Sequence, residues 1–578
     1  MTMDFRDGET SVVELLERHF EVAFSAPDGV KKLRELILTL AMKGKLVPQD
    51  PNDQPASEML KEIEAEKQRL VKEGKIKNPK ALPPITADDV PYELPDGWEW
   101  VRLGEITAYN GRKNISGDQI DPDTWVLDLE DIEKDTSRIL YRAKFSERQS
   151  KSTKSTFLKG DVLYGKLRPY LDKIVVADRD GVCTTEIVPI VSFVGLHSDF
   201  LKWLLKRPAF LSYVNSLMYG VKMPRLGTDN AVASIHPLPP LPEQHRIVAR
   251  IDELMAHCDE LEKLRAEREQ KRVKVHAAAV RQLLDTTEPE SSANAWQFIS
   301  RNFRELYSDK ENVAELRKAI LQLAVMGKLV PQDPNDPPAC ELLKEIEAEK
   351  QRLVKEGKIK KPKAVSPIKP DEVPYPLPDS WEWVRLGDVI SYMDAGWSPK
   401  CETGPASDSE WGVLKTTAVQ KLEFLPHENK TLPIKLTPRP EYQVEEKDIL
   451  ITRAGPKNRV GICCVATSIR PKLMLSDKII RFKIYGDLIS PDYCALSLNT
   501  GYCSEQIEMF KSGMAESQMN ISQDKVKRLL MLIPPLPEQH RIVARIDQLM
   551  ALCDTLEQQI DDATRKQTEL LNAVMTQV

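Results

Sequence analysis

The residues best placed for chemistry in this chain are two dense runs of cations. Arg138–Lys173 holds ten Lys/Arg against three Asp/Glu, and Lys447–Lys483 holds nine against two, although the 578 residues together carry a net charge of −6. Each run has the electrostatic footprint of phosphate binding. One such run alone reads equally well as a solvated surface; two at equivalent places favour phosphate. Inside the first run, Gly160-Asp-Val-Leu-Tyr-Gly165-Lys166-Leu167 has the GxxxxGK spacing of a phosphate loop. Leu167 stands where Ser or Thr must reach Mg²⁺, and the matching KDILITRAG lacks the pattern, which argues against a nucleotide site. No GxGxxG follows a predicted strand, no HExxH occurs, and the eight histidines are scattered. The Asn/Asp-Pro-Pro-aromatic tetrapeptide that an adenine amino-methyltransferase needs is also missing from the sequence. His245 and His540 recur beside Arg at helix starts and read as interfacial. These features predict a binding and positioning device.

The elements that must carry those cations are written twice. Leu33–Glu105 and Leu316–Asp388 lie 283 positions apart and share 56 of 73 residues, including GKLVPQDPND, LKEIEAEKQRLVKEGKIK and WEWVRLG. PPLPEQHRIVARID recurs at Pro239–Asp252 and Pro534–Asp547, now 295 apart. The register change means that the segments between, residues 106–236 and 389–531, differ in length, and they share little sequence. Two like frames (1–105 and 286–388) therefore hold two unlike inserts. The first frame begins before Leu33, since Phe20 and Phe24 match Phe303 and Tyr307 at the same offset. Each frame opens with a short amphipathic helix stopped by Gly44 or Gly327, then a Pro- and Asx-rich turn, a charged helix over Ser57–Glu73 and a proline-rich extended run. WEWVRLG alternates as the first strand of the insert should.

The inserts read as mixed α/β. DVLYGKLRPY and KDILITRAG predict a strand followed by a loop. IVVAD, EIVPIVSF, GICCVAT and KIIRFKIY predict further strands. FLKWLLKRPAFLSYVNSL and DYCALSLNTGYCSEQIEMF predict helices. After Pro242 and Pro537 the apolar residues follow 4-3-4-3 spacing (Ile247, Ile251, Leu254, Cys258, Leu261; Ile542, Ile546, Leu549, Cys553, Leu556, Ile560), the seam of a coiled coil. An amphipathic helix lying on its own domain is the alternative. The two long helices are predicted over 237–285 and 532–578. The fold class expected is α+β, with two recognition domains of like fold joined by two long antiparallel coiled-coil helices in a pseudo-two-fold arrangement. No apolar run of 18 residues, no signal-type N-terminus and no CxxC among nine cysteines predict a cytoplasmic chain with reduced thiols.

These motifs, in this order, resemble one family: the DNA-specificity subunits of bacterial type I restriction–modification systems. The resemblance covers nearly the whole chain beyond its first thirty residues. It implies two target-recognition domains reading a bipartite site in double-stranded DNA, with the helices setting the gap. It implies two methyltransferase subunits as partners, and restriction–translocation subunits in the full complex. No cofactor belongs to this chain on that reading; S-adenosylmethionine sits in the methyltransferase partner, ATP and Mg²⁺ in the restriction partner. For contacts with DNA, Lys166, Arg168 and Lys173 follow the first insert strand, and Arg453, Lys457 and Arg459 follow its counterpart. Arg168 and Arg453 are the sharper expectations, because bidentate Arg–guanine is the commonest specific base contact. The loops Asn110–Asn114, with Arg112 and Lys113, and Asp394–Lys400, with Lys400, fall where the family begins its variable surface. Met223-Pro224-Arg225 and Met519-Asn520 resemble its last recognition loop. Tyr164, Tyr170 and Trp397 are candidates to stack on sugar or base, or ordinary core aromatics. Two rival functions are a stand-alone DNA-modifying enzyme and a protein scaffold with two cargo domains.

Overall fold

The computed structural model describes residues 22, 24–74, 76, 81–148, 152–217, 223–285, 289–361, 365–375 and 377–577. Phe20, expected to open the first frame, lies outside them. The chain divides into two units: residues 1–269 with 562–578, and residues 270–561. Each unit owns the start of one long helix (Leu241–Asp285 or Leu536–Gln577) and the end of the other.

In unit 1 the frame helix Gly29–Met42 is amphipathic on two sides. Val30, Ile37, Leu38 and Ala41 enter the main core with Ile247, Ile251 and Cys258 of the long helix. Leu36 turns the other way, onto Phe24 and Leu571. Gly44 ends the helix at φ +67, where a Cβ would lie 2.4 Å from Pro95 Cγ, so only glycine suits this stop. The charged helix Ala56–Lys72 buries just Ala56, Met59 and Ile63, a narrow stripe that leaves most of its charged side chains in water, with Lys67 and Glu66 half-buried.

Two frame motifs lock together at the root of the long helix. Trp98 Nε1 donates to Glu243 Oε2 at 2.9 Å, and Arg246 pairs with Asp53 at 2.7 Å. Gln244 donates to the Pro239 carbonyl and accepts from the His197 amide. WEW, DPND and PEQHR are thus three parts of one clasp. Unit 2 builds the same clasp from Trp381–Glu538 at 3.1 Å, Arg541–Asp336 at 2.7 Å, and Gln539 between Pro534 and Ser490.

WEWVRLG corrects one expectation. Glu99–Arg102 pairs antiparallel with Ile235–Leu238, the strand just before the long helix, and joins no larger sheet. A one-turn helix, Leu103–Ile106, separates it from the insert. The pair therefore ties the two ends of the insert together. Glu382–Arg385 and Leu530–Ile533 do so in unit 2.

The inserts share one sheet. In the first, strands run in the order Thr107–Tyr109, Ile187–Ser192, Val162–Gly165, Ile174–Val176, all antiparallel. In the second the order is Ile390–Ala395, Ile479–Ile484, Ile449–Thr452, Cys463–Val465, with the same partners. The inserts differ in what is added: a five-stranded sheet in the first, and two-stranded and three-stranded sheets in the second. Each predicted insert helix is two helices. Ser198–Lys206 breaks before Pro208, whose ring cannot continue a helix but suits a first turn. Pro491–Asn499 breaks at Gly501, φ +58. The long-helix seam rests on the frame helix of its own unit: Ile542, Ile546 and Cys553 join Leu316, Ile320 and Leu323, completed by Ala279 and Leu283 from the end of the other long helix.

Candidate nucleic-acid interface

Both central insert strands begin at a buried aspartate. Asp161 accepts from the Leu158 amide at 2.8 Å and Asp448 from the Glu445 amide at 2.7 Å, and each returns its own amide to the same residue's carbonyl, a closed turn that launches the strand. Each carboxylate also holds an arginine, taken from a different place in each unit. Arg112 donates twice to Asp161, both at 2.7 Å. Arg481 reaches Asp448 at 3.4 Å and Asp394 at 2.7 Å. Arg112 is therefore held against the sheet by Asp161, with part of its side chain still exposed.

The next four residues of each strand are buried, Val162–Gly165 and Ile449–Thr452. The GxxxxGK spacing thus lies in a core strand, where its amides serve the sheet. A phosphate loop must instead leave them free. Past the strand the two units repeat one backbone pattern. The Lys166 amide donates to the Glu186 carbonyl at 3.0 Å and its carbonyl accepts from the Leu226 amide at 3.0 Å. The Arg453 amide donates to the Lys478 carbonyl at 2.8 Å and its carbonyl accepts from the Ile521 amide at 2.9 Å. One residue on, Leu167 pairs with Arg225, and Ala454 pairs with Asn520. Loops 58 positions apart in one unit and 66 in the other thus meet side by side. Position 166 corresponds to 453, 186 to 478, and 225 to 520.

The remaining predicted residues divide by their partners. Arg168 is exposed, with φ +51 fixed by a bond from its amide to the Pro224 carbonyl at 2.9 Å. Such a left-handed backbone is uncommon for a long side chain. Arg225 projects from the same ledge, as does Asn520 in unit 2, exposed beside Ser512. Lys113 and Lys400 are exposed on the loops after the first sheet strand. Lys457 is exposed and pairs with Glu516 at 3.2 Å. Two others turn inward. Lys173 Nζ donates to the Leu129 carbonyl at 2.7 Å, and burial lowers its pKa. The Arg459 guanidinium donates to Gln420 and to the Thr416 and Val419 carbonyls. Both are half-buried and hold loops in place. Of the aromatics, Tyr164 is core, packed edge-on against Phe210. Trp397 lies under the Arg439 guanidinium at 4.2 Å, and Tyr170 is exposed.

Sequence reasoning missed Glu186 and Lys478. Each sits just before a six-residue sheet strand and reaches the site only through strand pairing, so no local spacing marks it. Eight of the nine thiols are wholly or partly covered. Among the described residues no three His, Cys, Asp or Glu side chains are grouped to hold a metal, and no helix is long and apolar enough to cross a membrane.

Comparison with known proteins places the chain among named relatives. Residues 378–564 match the family model of the type I restriction modification DNA specificity domain. The chain is 44% identical to the type I restriction enzyme EcoEI specificity subunit of Escherichia coli, over 94% of this chain and 93% of that one. It is 36% identical to the EcoAI specificity subunit of the same organism, again over 94% and 93%. A crystal structure of the HsdS subunit from Thermoanaerobacter tengcongensis aligns with a TM-score of 0.44 at 20% identity, covering 84% of this chain and 98% of that one. The chain belongs to the family of type I restriction enzyme specificity subunits.

Proposed function

We propose that each insert reads one half of a bipartite site in double-stranded DNA, and that this chain carries no catalytic step of its own. One observation supports the reading above others. The same paired ledge is built twice, yet it displays Lys166, Glu186 and Arg225 in one unit and Arg453, Lys478 and Asn520 in the other. Equal backbones with unequal side chains suit two readers of unequal sequences. Phosphate contacts fix register and base contacts fix identity, and both kinds of group stand here. The duplicated frames would dock two methyltransferase subunits, which hold S-adenosylmethionine and take the target adenine out of the stack. Restriction subunits, with ATP and Mg²⁺, would join through them. The long helices would set the gap, as half-site spacing follows protein geometry in two-headed readers. Its work belongs in the cytoplasm, where the DNA is.

Methylation mapping at single-base resolution tests this, in cells expressing the chain with and without its methyltransferase partner. The expected result is a split motif with one modified adenine per strand, present only with both proteins. Methylation by the chain alone would make it an enzyme. No methylation in either case would favour a scaffold without a DNA role. Exchange of residues 106–236 for a relative's insert should alter one half-site and spare the other.

A further inference from the structure

Arg225 is aimed by a carboxylate that arrives from the turn before the strand Ile187–Ser192. Its Nε donates to Glu186 Oε2 at 2.9 Å. Both residues are fixed from behind, since the Glu186 carbonyl accepts the Lys166 amide and Arg225 pairs with Leu167 across the ledge. The Arg225 side chain remains 51% exposed, and among the described residues its terminal nitrogens meet no acceptor. The bond to Glu186 raises the Arg225 pKa further, so the group stays fully charged.

A phosphate contact would gain nothing from this arrangement, because a carboxylate beside the guanidinium repels phosphate. A base contact gains from it. Holding Nε restricts the fork, and its two terminal NH2 groups meet no acceptor among the described residues and so remain available as a pair. That pair matches the two acceptors, O6 and N7, that guanine shows in the major groove. Unit 2 supplies an internal contrast. Where the arginine is replaced by Asn520, the carboxylate is replaced by Lys478, although the backbone bonds are the same. The acid accompanies the guanidinium and not the ledge.

We propose that Glu186 is a positioning residue that aims Arg225 at one guanine of the half-site read by residues 106–236. This rests on the proposed function and deepens it. The test uses the full chain co-expressed with its methyltransferase partner, mapped at single-base resolution. A split motif from the unaltered chain must come first; its absence defeats the reader role itself, separately from this inference. Given that motif, Glu186→Ala and Arg225→Lys should each make one guanine position degenerate in the first half-site, with discrimination there falling roughly 5- to 150-fold. The second half-site should not change. Glu186→Gln keeps an oxygen for Nε and should retain most of the discrimination. Adding Glu186→Ala to Arg225→Ala should cause no further loss, because the two act as one. Arg225→Lys preserves charge at an exposed position, so its folding is not in question. An unchanged motif in Arg225→Lys would overturn the proposal. So would uniform weakening by Arg225→Ala with a salt slope shallower by about 0.9, the mark of a phosphate contact.

Discussion

Asp172 shows how a single buried group ties stability to pH. Its backbone is left-handed at φ +49, and its carboxylate meets Lys206 Nζ at 2.6 Å. Lys206 also donates to the Asp135 and Asp172 carbonyls and the Ser137 hydroxyl. Burial pushes the Asp172 pKa up to about 6, against the pull of Lys206. The folded pKa is thus above the unfolded one, near 3.9. The native state binds the extra proton between those values, so stability is full below the unfolded pKa and falls as pH rises through about 6. Denaturant unfolding of unit 1 should show this fall, on the order of 1–3 kcal/mol, and Asp172→Asn should flatten it. Asp448 illustrates the opposite risk. With the carboxylate removed in Asp448→Ala, Arg481, buried at 4% exposure, keeps only its Asp394 partner and two carbonyls. Loss of one member of a buried network costs about 3–5 kcal/mol, which a shift of the unfolding midpoint of unit 2 would report.

At the scale of elements, the clasp at the root of each long helix makes the sharpest prediction. Trp98→Phe removes the donor to Glu243, whose other carboxylate oxygen already lacks a partner in its buried setting. A bond to a charged acceptor contributes about 1.5–3 kcal/mol, so unit 1 should lose about that much in denaturant unfolding. Trp381→Phe should do the same to unit 2, and neither should alter the sequence recognised. How much of this was legible in advance follows from distance along the chain. The frame helices, the strands after Asp161 and Asp448, and the proline starts of the long helices all announce themselves within ten residues. The Gly44 stop does too. The partner of WEWVRLG did not, because Ile235 lies 133 positions from Arg102 and pairing carries no local mark. The cationic runs were legible as charge but not as aim. Lys173 and Arg459 look like Lys166 and Arg453 in sequence, and only the carbonyls folded around them decide that they face inward. Glu186 was invisible for the same reason in reverse: an acid in a basic site looks like noise until its partner is known.

At the scale of the molecule, duplication explains both what is alike and what is not. The frames are held alike because each must form the same clasp with PEQHR and the same seat for a long helix. The inserts are free to diverge beyond one shared sheet, since only the ledge must recur. Lengthening the helix after Pro242 by one heptad should change the gap in the methylated motif and leave both half-sites as they were; an altered half-site would show that helix and ledge are not independent. A deletion of residues 562–578 should strip Leu570, Leu571 and Met575 from Leu33, Leu36 and Leu40. Hydrogen exchange should then quicken in Gly29–Met42 while Lys310–Val325 keeps its protection.

That last contact has a consequence for how the protein is made. Leu36 is closed over by Leu571, so the helix Gly29–Met42 waits for residues translated more than 500 positions later. Phe24, Leu33 and Leu40 share the wait. During synthesis unit 1 must hold an oily face uncovered while the whole of unit 2 is being translated, whereas part of the unit 2 cover, Ala279 and Leu283, is made before the helix it covers. A cell producing this chain carries an aggregation hazard from the translation of Leu36 until that of Leu571. Chaperone demand should therefore follow the time taken to translate residues 270–561, and slowing that stretch alone should lower the soluble yield.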